Sequence, residues 1–511
     1  MSRINTNVES LIAQRVLGQN NFSLNKSLER LSTGLRINRG KDDPAGLIAS
    51  ENLRSEIKAV NTAIGNAERA DQVLNIAEGG LQEVSSLLTE LQGLLTATAS
   101  KAGLSKEEQE ANQVQIDSIL QTVDRIAGQT NFQGIKLLNG NFDYQTSAVS
   151  GNLLDFSVNG AKFEGDSLDV DVVVTTSAQQ GQLFLDFDGA ALDLGGNGVN
   201  NSSFTIEITG SLGSRELSFA SGTTNADIAA AVNTFTDVTG VTASANGEGV
   251  SLVTQKFGGD EFVSVKVVND GGAQGDGLVR FEDDDATTLL GSAAATFGST
   301  AAENGVRDDG QDLIANINGV NAVSNGRTIR VNTDVLDVEL TLDTTQSQQL
   351  GSFKAFEIAG GGADFQLASR VDIAGKVSLG INDVAVRKLG KVEDEDNAGS
   401  FFFLDDLGSG KDLNVVDGDL VAAQEVVSRA IAETSALRGR LGAFQKNTLQ
   451  STVRSLNVAA ENSAAAESVI RDTDFASETA ALTRNQILSS ASLNTLSLAN
   501  QQPQQALQLL G

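Results

Sequence analysis

The sequence predicts a mixed fold: a long α-helical coiled-coil rod built from both chain ends, with a large β-rich middle inserted between them. Three observations predict it. Apolar residues alternate at spacings of three and four over several turns near each end, the mark of a helical seam. Of 52 glycines and 22 phenylalanines, 36 and 18 fall between residues 141 and 412, where turns and strands are expected. Only two prolines occur, Pro44 and Pro503, so long helices are permitted almost anywhere. At 511 residues the chain is long enough for three or more domains.

The first end opens with an amphipathic segment in which Ile4, Val8 and Leu11 precede Leu24, Leu28, Leu31 and Leu35. A break runs from Gly34 to Gly46. Within it Asp43 followed by Pro44 predicts a helix start, because a carboxylate caps the free N–H groups and a first-turn proline forfeits no bond. The helix that follows carries Ala67, Ala70, Leu74, Ala77, Leu81, Val84, Leu88, Leu91 and Leu95 in unbroken 3-4 alternation. Ser105 with Glu108 three residues on predicts a capping box for a third helix. Its expected apolar face is Val114, Ile116, Ile119, Leu120, Val123 and Ile126. From Phe132 to Leu138 a strand is expected, entering a turn at Asn139-Gly140.

The last end mirrors the first. Leu420, Ala423, Val427, Ala430, Thr434, Leu437, Leu441 and Phe444 keep the alternation, after which the face drifts to Leu449, Val453 and Leu456. Asp472-Thr473-Asp474 breaks the helix, and a final helix is expected from about Phe475 to Asn500. Two seams so far apart satisfy each other by pairing, which makes the middle an insertion. The expected domains are 1–42 with 473–511, 43–150 with 413–472, and an insertion at 151–412 of two subdomains. Within the insertion, residues 204–267 predict a ββαβββ unit, and 317–340 a second hairpin-rich unit.

Composition also excludes functions. With no cysteine and no histidine, disulfide scaffolds, thiolate zinc sites, imidazole bases and Ser-His-Asp triads are ruled out. No enzymatic role, cofactor or metal is expected. The acidic runs at Glu282–Asp285, Glu393–Asp396 and Asp405-Asp406 match no calcium-loop spacing and are expected to be solvated surface. The net charge of −30 sits almost wholly in residues 141–412, which hold 41 acidic residues against 15 basic. That balance argues against nucleic acid as a partner and favours solubility in a self-associating protein. No apolar stretch is long enough for membrane insertion, and MSRINTNVES has no secretory h-region.

The stretch SLERLSTGLRINRGKDDPAGLIASENLRSEI (27–57), together with AGQTNFQGIKLLNG (127–140) and LANQQPQQALQLL (498–510), resembles the bacterial flagellins. The module at 204–268 is similar to an insertion unit of flagellins and filament-cap proteins. Pro44 departs from the family's more usual Ala, harmlessly at a first helical position. The resemblance implies a structural subunit that polymerises into the extracellular filament of the bacterial flagellum and drives swimming. It implies terminal helices lining an inner tube, type III export without a cleaved signal, and an export chaperone and filament cap as partners beside the chain itself. A hook–filament junction protein, or a surface adhesin acting through the acidic middle, are the alternatives.

The residues expected to pack or assemble are Leu24, Leu28, Leu31, Leu35, Leu74, Leu81, Val84, Leu88, Leu91, Leu95, Leu437, Leu441, Phe444, Leu482, Leu493, Leu496, Leu507 and Leu510. Leu493 and Leu496 are expected together on the face that meets neighbouring helices.

Overall fold

A computed structural model describes residues 6–100, 103, 105–163, 165, 167–195, 203–282, 285–289, 295–394 and 400–508. Ten helices are formed among them: α1 Val8–Thr33, α2 Pro44–Ala99, α3 Lys106–Gln129, α4 Asn225–Asn233, α5 Thr236–Thr239, α6 Thr300–Asn304, α7 Thr344–Gln348, α8 Leu420–Ala443, α9 Gln450–Arg471 and α10 Phe475–Gln508. The chain separates into two compact units. One holds residues 1–78, 365–376 and 438–511; the other holds 79–364 and 377–437.

In the first unit the breaks between helices follow their capping chemistry. Asn7 caps α1 by accepting the Ser10 N–H at 3.0 Å, and Gly34 ends it in the left-handed conformation that other residues resist. The Asp43 carboxylate accepts the Gly46 N–H at 2.9 Å, so Pro44 opens α2 as expected. Asp474 does the same for α10, accepting from Ala476 and Ser477. The two breaks clasp one another: Arg36 N donates to Arg471 O at 2.7 Å, and Thr473 N to Gly34 O at 2.9 Å. Ion pairs Glu51–Arg471 and Arg54–Glu467 tie α2 to α9, and Glu78–Arg438 ties it to α8.

The seam on α2 is buried from Ala67 to Leu95 and begins earlier than expected, at Val60 and Ala63. The α8 seam is buried from Ala423 to Leu441, with Thr434 as its polar position. Between α8 and α9, Phe444–Leu449 is a π-helical turn, where the expected drift of the apolar face begins. The extra residue in each π-turn shifts the phase of everything that follows.

Several expectations need correction. The stretch 132–138 is not one strand but a tiny hairpin, Asn131–Phe132 with Ile135–Lys136, turning on Gln133 and Gly134, both at positive φ. Val114 is 67% exposed, and Gln113 takes its place on the buried face of α3. The final helix does not stop at Asn500; it runs through Pro503 to Gln508. Proline deprives the Ala499 carbonyl of its helical donor, and Asn7 Nδ2 supplies a replacement at 2.8 Å.

In the second unit α3 has the full capping box, Ser105 with Glu108. Gln113 on α3 clamps the returning chain, donating to Leu407 O and accepting from Val415 N at 2.9 Å each. Asp117 and Asp124 add bonds to Ser409 N and Val386 N. Leu137, Leu138, Val384, Val386, Leu404 and Leu407 are buried in the same region.

The β-rich middle has two cores. One packs a five-stranded sheet (Asp285–Leu289, Gly277–Glu282, Gln182–Asp186, Gly249–Thr254, Val241–Ala245 in spatial order) with a four-stranded one (Val306–Asp309, Phe262–Asn269, Ser203–Thr209, Ser214–Ala220) and α4. Phe187, Phe204 and Phe297 meet at its centre with ring centroids 5.0–5.7 Å apart. The expected ββαβββ order is present, but its strands divide between the two sheets and need partners from outside 204–267. The other core lies among Tyr144–Ser147, Leu153–Ala161, Leu168–Thr176, the hairpins of 314–342 and Gly351–Gly361. Tyr144 is therefore a sheet residue, buried, its hydroxyl accepting the Ala161 N–H at 2.8 Å.

Candidate assembly surface

Helices α1 and α10 pack antiparallel, and the face they share is mostly small or polar. On α1 it follows Ser10, Ala13, Leu17, Asn20, Leu24, Ser27 and Leu31; on α10 it follows Leu482, Asn485, Ser489, Ser492, Leu496 and Ala499. Both runs keep the 3-4 alternation of a coiled coil. Hydrogen bonds cross it repeatedly. Asn485 Nδ2 donates to Ser27 Oγ (3.1 Å), Ser489 Oγ to Asn21 Oδ1 (2.8 Å), Asn20 Nδ2 to Ser492 Oγ (2.6 Å) and Ser10 Oγ to Asn500 Oδ1 (2.7 Å). Arg30 and Glu478 close the far end at 3.4 Å.

Most of the large apolar side chains point the other way. Val8, Leu11, Ile12, Val16, Phe22 and Leu28 on α1, and Phe475, Ile487, Leu488, Leu493 and Leu498 on α10, are all exposed. Ile48, Val458 and Val469 on α2 and α9 join them, and α9 buries no residue at all. Isolated exposed leucines are ordinary, but an apolar stripe along paired helices marks an interaction surface.

The expected residues divide accordingly. Leu24, Leu31, Leu482 and Leu496 are half-buried on the α1–α10 seam, and Leu35 is half-buried at the clasp with Asp472. Leu28 is exposed. Leu493, three residues before Leu496, is 53% exposed, further from the seam. Leu74, Leu81, Val84, Leu88, Leu91, Leu95, Leu437 and Leu441 are core, and Phe444 is half-buried with its ring 6.2 Å from that of Phe365. The side chain of Leu507, and all of Leu510, lie outside the described residues. Sequence reasoning passed over Ser10, Asn20, Ser27, Asn485, Ser489 and Ser492. Counting every heptad-spaced residue, rather than only the apolar ones, would have found them.

Among the described residues, no arrangement of catalytic type is present at this surface. The run Asp405-Asp406 is consumed structurally: Asp406 accepts the Phe403 N–H and Asp405 pairs with Lys411. Residues 283–284 and 395–396 of the other two runs lie outside the described residues. Exposed Asp188 and Asp276 converge with half-buried Asp186, with oxygens within 4.8 Å of one another. Among the described residues no helix is long and apolar enough to cross a membrane.

Paired helical ends that join through polar pairs and display large apolar side chains define a subunit completed by other subunits. Known proteins agree. The family description "Bacterial flagellin N-terminal helical region" matches residues 4–143, "Bacterial flagellin C-terminal helical region" matches 424–510, and "Flagellin hook IN motif" matches 203–256. The chain is 28% identical to B-type flagellin of Pseudomonas aeruginosa and 29% identical to flagellin of Salmonella rubislaw, covering 99% of both chains each time. Among solved structures, a FliC from Burkholderia pseudomallei aligns with 75% of this chain and 99% of its own at 12% identity, with a TM-score of 0.23. The chain belongs to the bacterial flagellin family. It is a structural subunit of the flagellar filament, the extracellular part of the flagellum, and it polymerises with itself.

Proposed function

We propose that the filament is built through the outward faces of α1 and α10, with further copies of this chain as the partner that covers them. The observation that carries this reading is the partition itself, amides between the two helices and eleven large apolar side chains outside them. Residues 1–42 with 473–511 form the assembling domain, 43–150 with 413–472 the helical support, and 151–412 the outward insertion. The buried seam leucines of α2 and α8 hold the fold, and Leu28 and Leu493 contact neighbours. The absence of His and Cys supports a purely structural role without catalysis. An export chaperone that shields the apolar ends before assembly, and a filament cap that receives them, are the further partners this chemistry requires. Export is by the flagellar type III route.

The test is the pair Leu488→Asp with Leu493→Asp, both exposed. A carboxylate buried without a partner costs several kcal/mol, and a polymer repeats that cost at every subunit. Circular dichroism should show near-normal helix content and sedimentation no polymer. Ordinary filaments from this variant would sink the reading.

A further inference from the structure

The seam between α1 and α10 holds more polar pairs than a coiled coil needs for packing. We infer that these pairs are a register lock: they set how far α10 slides along α1, and so where the outward leucines stand relative to one another. The inference rests on the assembly reading above and deepens it.

Four side-chain pairs occur in strict antiparallel order, Ser10 with Asn500, Asn20 with Ser492, Asn21 with Ser489 and Ser27 with Asn485. Leucines tolerate sliding, because one apolar contact is much like the next. The buried hydroxyls of Ser10, Ser27, Ser489 and Ser492 do not, since displacement takes each away from its asparagine partner and leaves it unsatisfied. Asn7 completes the set at the tip by two bonds from one side chain. Its Oδ1 accepts the Ser10 N–H that opens α1, while its Nδ2 donates to Ala499 O. That carbonyl is available because Pro503, four residues on, brings no N–H. The lock thus joins the start of one helix to the carbonyl that Pro503 leaves without a helical donor in the other.

Polarity in the seam also decides which faces the helices turn inward. Were the whole seam leucine, like the outside, the pair would have several ways to bury apolar surface. With serine–asparagine pairs set among the seam leucines, only one rotation satisfies them, and it leaves Leu11, Ile12, Leu488 and Leu493 for the next subunit.

The test uses full-length chain, which has no cysteine of its own. Ser10→Cys with Asn500→Cys reports register by the yield of intrachain disulfide in sedimented protein. Into this background go Asn20→Leu, Ser489→Leu and Ser492→Leu together, or the exchanged pair Asn20→Ser with Ser492→Asn. The leucine variant is expected to lose most of the cross-link and to raise the critical concentration for seeded polymerisation about tenfold or more. The exchanged pair is expected to keep both near their starting values. Retention of either value by the leucine variant overturns the inference. So does loss of both by the exchanged pair, which would trace the effect to packing. These outcomes differ from failure of the assembly reading, which shows as ordinary filaments from the Leu488→Asp, Leu493→Asp chain.

Discussion

The two kinds of core in this protein are built on opposite plans. In the β-rich middle, Phe184, Phe204, Phe297 and Phe356 are fully buried and the surface carries the acid. In the α1–α10 pair, the buried side chains are serine and alanine, the seam leucines are only half-buried, and most of the large apolar side chains are outside. The first plan makes a region that is complete in a single chain. The second makes one that acquires its apolar burial only when another chain arrives. Burial of a large side chain contributes roughly 1.5–3 kcal/mol, so the paired ends withhold much of their stability until assembly.

The largest expected effect separates the plans by stability. Phe204→Ala removes a ring from the three-phenylalanine centre and should cost about 3–5 kcal/mol in unfolding of the middle. Filaments should still form, so loss of polymer from a soluble, helical Phe204→Ala chain would blur the distinction. Next, Ser105→Ala removes the capping box of α3 and should cost about 1 kcal/mol by chemical denaturation. An unchanged midpoint would mean that the clamp through Gln113 alone fixes the helix.

Glu433 tests the buried side through pH. Burial pushes its carboxyl upward, against the Gly390 N–H at 3.0 Å and Arg429 at 3.2 Å; Asp155 pushes it further up. Lys391 pairs with Asp155 in the same cluster, at 3.4 Å. A carboxyl raised in the folded chain binds its proton more readily there than in the unfolded chain. Stability therefore falls as pH rises from the ordinary carboxylate range through the raised value. Glu433→Gln keeps an acceptor for Gly390 and should raise the melting temperature at neutral pH. Its advantage should vanish in acid, and a constant offset at all pH would refute the linkage. Asp42 has the opposite sign: hydrogen bonding to Lys26 holds its carboxyl below the usual range, so its contribution is lost as pH falls.

The smallest effect belongs to the ends. Ile487→Ser removes an exposed apolar group and should shift monomer unfolding by no more than about 0.5 kcal/mol. A loss comparable to that of Phe204→Ala would mean that this face is already covered within one chain.

How much of this was legible in the sequence follows from what sequence patterns encode. Apolar periodicity found the seams of α2 and α8, because there the buried residues are the apolar ones. Capping chemistry found the starts at Pro44 and Ser105, since the groups concerned are within three residues of each other. The same periodicity found Leu24 and Leu31 on the α1 seam but passed over the serines and asparagines between them. Leu493 and Leu496 were paired on the same ground, yet one faces out and the other lies on the seam. The end of α10 was misjudged because the donor that satisfies Ala499 comes from Asn7, 492 residues away. In the middle, strands were visible but their partners were not. Ser264–Val267 pairs with Ile206–Thr209, whereas its neighbour Val250–Thr254 joins a different sheet. The return through 384–415 gives no periodic signal, because Gln113 and Asp124 hold it by its backbone.

The π-turn at Phe444–Leu449 makes the helical faces of the last end depend on counting. An α-helix advances about 100° per residue, and this turn holds one residue more than an α-helical path would. The wide turn absorbs that residue, so the helix beyond it keeps its faces in place. Were the same residues wound as plain α-helix instead, no contact upstream would change, yet every side chain of α9 would be rotated by about a quarter-turn or more around its axis. Glu467 and Arg471 would swing away from Arg54 and Glu51. The turn therefore works like a reading frame for surfaces: length, composition and helix content survive its loss, and only the direction in which each residue faces is rewritten.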